Sequence, residues 1–167
     1  MVNEMLTSDC LREWQAFDHL VLGYSGGMDS HVLLHLLSQL PKVQSKSLTA
    51  IHVNHGLHSE SNAWEKHCVK TCRRLEVPSV TLSVDVHASP LFQSLGLEAT
   101  ARTLRYQAIS AWMQENLPSS AALLLAHHAN DQAETLLLQL MRGAGPKGLA
   151  SMPMKKTVKG IHIVRPL

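Results

Sequence analysis

The sequence contains few cysteines and few aromatic residues, and it carries little net charge. Among its 167 residues there are 3 cysteines and 4% aromatic residues, with 15 Lys+Arg against 13 Asp+Glu. Cys10, Cys68 and Cys72 form no even disulfide framework, and such usage is typical of a reducing compartment. A net charge of +2 excludes a strongly basic chain but leaves room for a local nucleic-acid-binding patch.

Targeting and membrane signals are also missing. The first residues, 1–4, lack a basic region followed by an apolar stretch, and no apolar run is as long as a membrane span. We therefore expect a cytoplasmic protein with no membrane partner. With 45% hydrophobic residues, no repeat and no low-complexity segment, residues 1–167 predict a single domain that can bury a sizeable core.

Histidine is the one over-used residue, with 11 copies. His52, His55 and His58 lie ahead of Cys68 and Cys72, which raises the alternative of a zinc site. The spacings differ from those of zinc fingers and zinc ribbons. Two cysteines four residues apart are more simply two small apolar groups on one helix face, so we favour a structural role for them.

Strand-like and helix-like segments alternate along the chain. This alternation predicts an α/β fold, a doubly wound and mostly parallel five-stranded sheet with helices on both faces. The predicted strands are 20–24, 47–55, 77–85, 121–128 and one final strand within 158–167. The predicted helices are a leading one at 4–17, one ending near Leu40, one beginning after Ser59, one at 97–116 and one at 130–143.

Three polar segments stand at the carboxyl ends of predicted strands: Ser25–Ser30, His52–His58 and His127–Glu134. In open parallel sheets, ligands bind beyond the carboxyl ends of the strands, where the strand order reverses. We therefore expect these segments to converge on one active site.

The first of these segments resembles a phosphate-binding loop. Gly26 and Gly27 let the backbone take a positive φ and approach a ligand closely, and the following helix N-terminus favours anions. Ser25 and Ser30 add hydroxyl donors. A Walker loop is excluded because it requires a lysine, and the stretch "GGMDS" has none. A plain strand-to-helix turn is the simpler alternative, but the full pattern of strand, loop and apolar helix favours phosphate binding.

An aspartate in a phosphate-binding loop requires a cation, because its carboxylate would otherwise repel phosphate oxygens. Mg²⁺ is bound by one or two carboxylates together with substrate phosphates. Asp29 and Asp131 are the candidate ligands, at the starts of two predicted helices. For Asp131 the alternative is an ordinary acid in the first turn of a helix.

The motifs resemble a known family. "SGGMDS" resembles the signature of the PP-loop ATP pyrophosphatases. "HVNHGLH", "LEATARTLRYQAI" and "AHHANDQAETLLLQLMRGAGPKGLASM" resemble the catalytic domain of the tRNA(Ile)-lysidine synthetases, and together the matches span about residues 19–167. The resemblance implies ATP-dependent ligation of free lysine to carbon 2 of the wobble cytidine of an isoleucine tRNA, through an adenylated base, with release of AMP and pyrophosphate.

The resemblance also implies roles for individual residues. ATP binding falls to Ser25, Gly26, Gly27, Met28, Asp29, Ser30, His52 and Val53. Catalysis falls to Asp29, His127 and Asp131, with Mg²⁺ on Asp29 and Asp131. Binding of lysine or tRNA falls to Glu134, Arg102 and Arg105. The implied cofactors and partners are ATP, Mg²⁺, an isoleucine tRNA and free L-lysine.

The sequence departs from the family in two respects, and alternatives stay open. Asn130 stands where many members carry an aspartate, and members continue into further domains that help to grip the tRNA. We therefore expect this chain alone to bind ATP–Mg²⁺ and to form little lysidine. The alternatives are a tRNA-thiolating relative, an ammonia-using synthetase and a non-catalytic ATP- or AMP-binding module. The oligomeric state is open, with a homodimer as one alternative.

Overall fold

A computed structural model describes residues 16–40, 47–127, 129–141, 143, 153, 155–158 and 160–166. The strands are β1 (His19–Gly23), β2 (Ser47–Asn54), β3 (Ser79–Ser83), β4 (Ala121–Leu124), β5 (Lys155–Val158) and β6 (Ile161–Val164). The helices are α1 (Met28–Gln39), α2 (Ser61–Arg74), α3 (Phe92–Leu95), α4 (Leu97–Asn116) and α5 (Ala129–Met141). The leading helix predicted at 4–17 lies outside the described residues, apart from its last two positions.

The described strands form one mostly parallel sheet in the order β3-β2-β1-β4-β6-β5. Neighbouring strands from β3 to β6 are parallel, and β5 alone runs antiparallel to its neighbour β6. The α/β fold expected from the sequence is confirmed. The expected strand number of five was wrong by one, because the last segment folds as a hairpin. Gly160 allows that hairpin turn with its φ of +81°.

The two faces of the sheet carry separate apolar layers, as the alternation along β1 requires. Leu20, Leu22 and Tyr24 face α1 and α2 in one cluster. Val21 belongs to the other cluster, which includes Ile109 of α4. Both layers are closely packed around β1 and β4. These two central strands therefore hold the loops that follow their carboxyl ends in fixed positions.

The strand order reverses between β1 and β4. From β1 the chain proceeds outward through β2 to β3, and then returns to place β4 on the other side of β1. The loops after β1 and β4 therefore flank the crevice where ligands of such sheets bind. Of the helices that the structure describes, none is both long and apolar enough to cross a membrane.

Candidate active site at the carboxyl edge of the sheet

A cavity of about 800 Å³ lies at the carboxyl edge of the sheet. Its volume is in the range of small-molecule and nucleotide sites. The expected convergence holds for three groups of residues: the loop after β1, the segment at the end of β2 and His127 after β4 all line the cavity. The N-terminal half of α4 completes the wall with Arg102 and Arg105.

The loop at residues 25–30 is held by its own serines. Ser30 Oγ donates to the carbonyl oxygen of Gly27 at 2.9 Å and lies 3.0 Å from Ser25 Oγ. The backbone N–H of Gly27 donates to Ser25 Oγ at 3.2 Å. Helix α1 then begins with N–H groups that have no acceptor within the helix, so the loop and the helix N-terminus together form a preorganised anion site.

Gly26 is the residue in this loop that no other amino acid can replace without strain. Its φ is +84°, and a Cβ atom built on it would lie 2.7 Å from Sγ of Cys68. The loop is thus in direct contact with α2. The absence of a side chain at residue 26 lets the loop backbone lie this close to the helix. Met28, which the resemblance placed among the ATP-binding residues, has a side chain that is 78% exposed and does not line the cavity. Any contribution of Met28 to ATP binding must come from its backbone.

Asp29 is half-buried in the first turn of α1 and lines the cavity. Its position at the phosphate loop fits the chemistry of Mg²⁺, which needs few protein carboxylates when phosphates supply the other oxygens. Asp131 lies in the first turn of α5 and is half-buried. It is not part of the cavity wall, but its charge offsets a small part of the lowering of the His127 pKa that burial causes. The side chain of Glu134 lies outside the described part of the chain.

His52, near the end of β2, is hydrogen-bonded to the residue that follows β1. Its Nδ1 donates to the carbonyl oxygen of Tyr24 at 3.0 Å, because a carbonyl oxygen can only accept. A neutral His52 therefore keeps its Nε2 as an acceptor. Val53, the next residue of β2, is buried and also lines the cavity.

His55 and Arg105 form a pair across the cavity. Arg105 donates to Nε2 of His55 through Nε at 3.2 Å and through Nη2 at 3.1 Å. Burial lowers the pKa of His55, and the charge of Arg105 lowers it further. Arg102, one turn earlier on α4, lies over the ring of Tyr106 at 5.5 Å from its centroid, a cation–π geometry.

The charge of a buried cation that was not identified from the sequence, Arg165, acts on His127. Burial lowers the pKa of His127, and among charged neighbours Arg165 has the largest further effect. Arg165 is 9% exposed and donates through Nη1 to the carbonyl oxygen of Pro153 at 2.8 Å. Among the described residues, neither Arg165 Nε nor His127 Nδ1, both of them buried, has a hydrogen-bond partner. Such groups carry a free-energy cost unless a ligand or water satisfies them.

The sequence analysis missed Arg165 because the neighbour of β4 cannot be identified from the sequence. The available signal was the position of Arg165 directly after a strand of apolar residues, where an arginine can reach a ligand at the carboxyl edge of the sheet. Asn54, which is 8% exposed and ends β2, also had no role predicted from the sequence. Its side chain accepts from the Gly56 N–H at 2.9 Å and donates to Glu65 Oε2 at 2.7 Å.

Comparison with known proteins gives one family match along most of the chain. The model of the PP-loop domain family matches residues 2–167. Curated relatives called tRNA(Ile)-lysidine synthase include those of Coxiella burnetii, 46% identical over 87% of this chain, and Pseudomonas fluorescens, 44% identical over 94%. A third, from Serratia proteamaculans, is 40% identical over 100% of the chain. These matches confirm the resemblance seen in the motifs.

The chain spans about a third of the length of these relatives, since it covers 31%, 34% and 37% of them, respectively. Among solved structures it is similar to the U34-tRNA thiolase NcsA from Methanococcus maripaludis, with a TM-score of 0.69 and 21% identity over 99% of this chain and 56% of that one. It is also similar to the NH3-dependent NAD synthetase from Campylobacter jejuni, with a TM-score of 0.56 and 14% identity over 90% of this chain and 63% of that one. At these identities the two structures show a shared fold alone. The family match, the loop at residues 25–30 and the cavity at the strand reversal lead to one conclusion: the chain belongs to the PP-loop domain family.

Proposed function

We propose that the chain is the ATP-using part of a tRNA(Ile)-lysidine synthetase. In this reaction the wobble cytidine of an isoleucine tRNA is first adenylated by ATP, and free L-lysine then displaces AMP. One observation carries the proposal: residues of the loop at 25–30 line the same cavity as His127 and Arg105. The names of the relatives, at 40–46% identity, support this substrate among those that PP-loop enzymes use.

The first step needs a site for pyrophosphate. The cytosine O2 attacks the α-phosphorus of ATP, and the bond from that phosphorus to the bridging oxygen breaks. The loop hydroxyls and the N-terminus of α1 would bind the departing pyrophosphate. Asp29, which lines the cavity, would hold Mg²⁺, which neutralises phosphate charge when it is bound. Asp131 is not part of the cavity wall, and it is assigned to the same metal from the sequence alone.

Neutral histidines suit a site that holds phosphates and a nucleobase. The lowered pKa of His127 leaves its imidazole uncharged at neutral pH, so it can donate one hydrogen bond without losing a proton. We assign it to an oxygen of the α-phosphate, because His127 lines the cavity. The charge that develops in the transition state would then be stabilised by groups already in place.

The second step needs an uncharged lysine amine beside the adenylated base. The ε-nitrogen of lysine attacks carbon 2 of the adenylated cytosine. The bond between carbon 2 and its oxygen breaks, that oxygen leaves as part of AMP, and the amine loses a proton. Glu134 is assigned to the lysine substrate from the resemblance. Arg102 and Arg105 are assigned to its carboxylate or to phosphate, because both residues line the cavity and a guanidinium binds such groups in a planar, bidentate way.

A thiolation function has less support. Base thiolation requires a reactive thiol or a cluster bound by thiolates. Cys68 and Cys72 are 2% and 1% exposed, and burial, aided by Cys72 and Glu65, raises the pKa of the Cys68 thiol to about 11. Both thiols therefore pack as apolar groups beneath the phosphate loop.

ATP–pyrophosphate exchange tests the proposal. We expect the full chain to incorporate labelled pyrophosphate into ATP only when an isoleucine tRNA with a wobble cytidine is present. A tRNA with uridine at that position is the matched control and should give no exchange. Exchange of equal rate without RNA would contradict the proposal, because the base is the group that attacks ATP.

A further inference from the structure

An aromatic pair lies in the wall of the cavity beyond the proposed ATP site. The Trp64 ring lies 5.4 Å from the His58 ring, measured between centroids, with 58° between their planes. Both residues line the cavity. Trp64 is 49% exposed, so a large part of its surface is open to a ligand. Neither residue has a part in the function proposed above.

Asn54, buried at the end of β2, holds the helix turn that carries the tryptophan. Its Nδ2 donates to Asn62 Oδ1 at 3.2 Å and to Glu65 Oε2 at 2.7 Å. These two acceptors stand on either side of Trp64 on α2. The Trp64 backbone N–H also donates to the carbonyl oxygen of Glu60 at 3.0 Å.

The histidine is fixed to the same helix start. The backbone N–H of His58 donates to Ser61 Oγ at 3.1 Å, and the Ser61 N–H returns a bond to the carbonyl oxygen of His58 at 3.0 Å. Asn54 reaches this loop as well, by accepting the N–H of Gly56. The backbone segments that carry the two rings are therefore held in place before any ligand binds, which reduces the entropy cost of binding.

The location of the pair favours a macromolecular ligand. β2 lies one strand farther from the strand reversal than β1, and both His58 and Trp64 are exposed, whereas Val53, which lines the cavity from β2, is buried. Small ligands such as ATP are mostly enclosed by their sites. An exposed ring at the rim is instead accessible to an unpaired base of a larger RNA, and unpaired RNA bases commonly stack on aromatic side chains.

We propose that Trp64, supported by His58, is a stacking platform for an unpaired nucleobase of the RNA substrate, next to the base that reacts. The proposal rests on the proposed function, because it takes the ligand to be the anticodon loop. Stacking accepts any base, since every base has a π-face. The platform thus positions the RNA, and it leaves the choice of the reacting base to the interior of the cavity.

The test compares Trp64→Ala and Trp64→Phe in the full chain, with a synthetic anticodon stem-loop RNA containing a wobble cytidine as the probe. We expect Trp64→Ala to raise the Kd for the RNA about 5- to 100-fold, the range for loss of one base–aromatic stack. Trp64→Phe keeps a ring and should stay within a few-fold of the wild type. The slope of affinity against salt concentration should not change, because stacking releases no counterions.

Phe92→Ala is the matched control. Phe92 packs against His87 at 5.0 Å between ring centroids but does not line the cavity, so its loss should leave the Kd for the RNA unchanged. Circular dichroism should show that all variants are folded. An unchanged RNA affinity in Trp64→Ala would overturn the proposal, and so would a raised KM for ATP with unchanged RNA affinity, which would assign the platform to adenine. Failure of the proposed function differs: the wild-type chain itself would then show no RNA-dependent exchange.

Discussion

Arg105 donates two hydrogen bonds to one nitrogen of His55, a residue 50 positions earlier in the chain. Because arginine can only donate, Nε2 of His55 must be the acceptor, and a neutral His55 carries its proton on Nδ1. This Nδ1 is buried, and no residue in the described part of the chain forms a hydrogen bond with it. The pair joins α4 to the loop after β2. These hydrogen bonds therefore connect two elements that line different parts of the cavity.

Replacing Arg105 should affect catalysis more than stability. Hydrogen bonds to charged groups contribute about 1.5–3 kcal/mol, so we expect Arg105→Ala to lower kcat/KM about 10- to 100-fold. Arg105→Lys should be only partly active because it lacks the planar fork. Steady-state kinetics with lysine, ATP and RNA varied in turn would show which substrate the guanidinium contacts.

Arg73→Ala is the control for this prediction. Arg73 is exposed in the last turn of α2 and is not part of the cavity wall. Its loss should leave all three KM values unchanged. Equal activity of Arg105→Ala and Arg73→Ala would show that Arg105 does not act on a substrate.

Replacing Gly26 should displace the phosphate loop. In Gly26→Ala the positive φ costs about 1–2 kcal/mol, and the new methyl group collides with Sγ of Cys68. We expect a lower free energy of unfolding and weaker ATP binding, measured by chemical denaturation and by calorimetry.

Two further variants separate strain from collision. Gly27→Ala should keep its stability, because φ there is −72° and the nearest atom to the new Cβ is 3.4 Å away. Adding Cys68→Ala to Gly26→Ala should restore part of the loss by removing the sulfur. No recovery in the double variant would mean that the collision contributes nothing.

Asp29 is predicted to be required for chemistry but not for folding. We expect Asp29→Asn to reduce RNA-dependent ATP–pyrophosphate exchange at least about 100-fold, since loss of a preorganised charged group in an active site commonly costs that much. The free energy of unfolding should change little. Glu115→Gln removes one exposed carboxylate from α4 outside the cavity wall and should retain full exchange; comparable losses in both variants would indicate a general charge effect.

Stability should decline as the solution becomes acidic. Burial lowers the pKa of both His55 and His127 below the ordinary 6.5 in the folded chain. The unfolded chain then binds protons first, so the free energy of unfolding falls as the pH drops through 6.5 toward the folded pKa values. Denaturation at several pH values between 5 and 8 would measure the slope. Replacing either histidine with asparagine should flatten it, and an unchanged slope in both variants would contradict the assignment.

The sequence analysis predicted those parts of the site that depend on local pattern. The loop at residues 25–30 and His127 were identified because each directly follows a recognisable buried strand, and parallel strands bring their ends to one edge. Arg165 was missed, since its closeness to His127 depends on β6 pairing with β4, which no local pattern encodes. The pairing of Arg105 with His55 and the anchoring role of Asn54 depend on side-chain geometry across elements. Periodicity cannot predict such contacts.

The most direct test of the central claim is the modified nucleoside itself. An isoleucine tRNA with a wobble cytidine would be incubated with the full chain, ATP, Mg²⁺ and labelled L-lysine, then digested and analysed by mass spectrometry. We expect lysidine at the wobble position in low yield, because the chain spans only about a third of the length of its relatives, with AMP and pyrophosphate formed in equal amounts and no product with Asp29→Asn. A wobble cytidine that stays unmodified, or one that acquires sulfur instead of lysine, would contradict it.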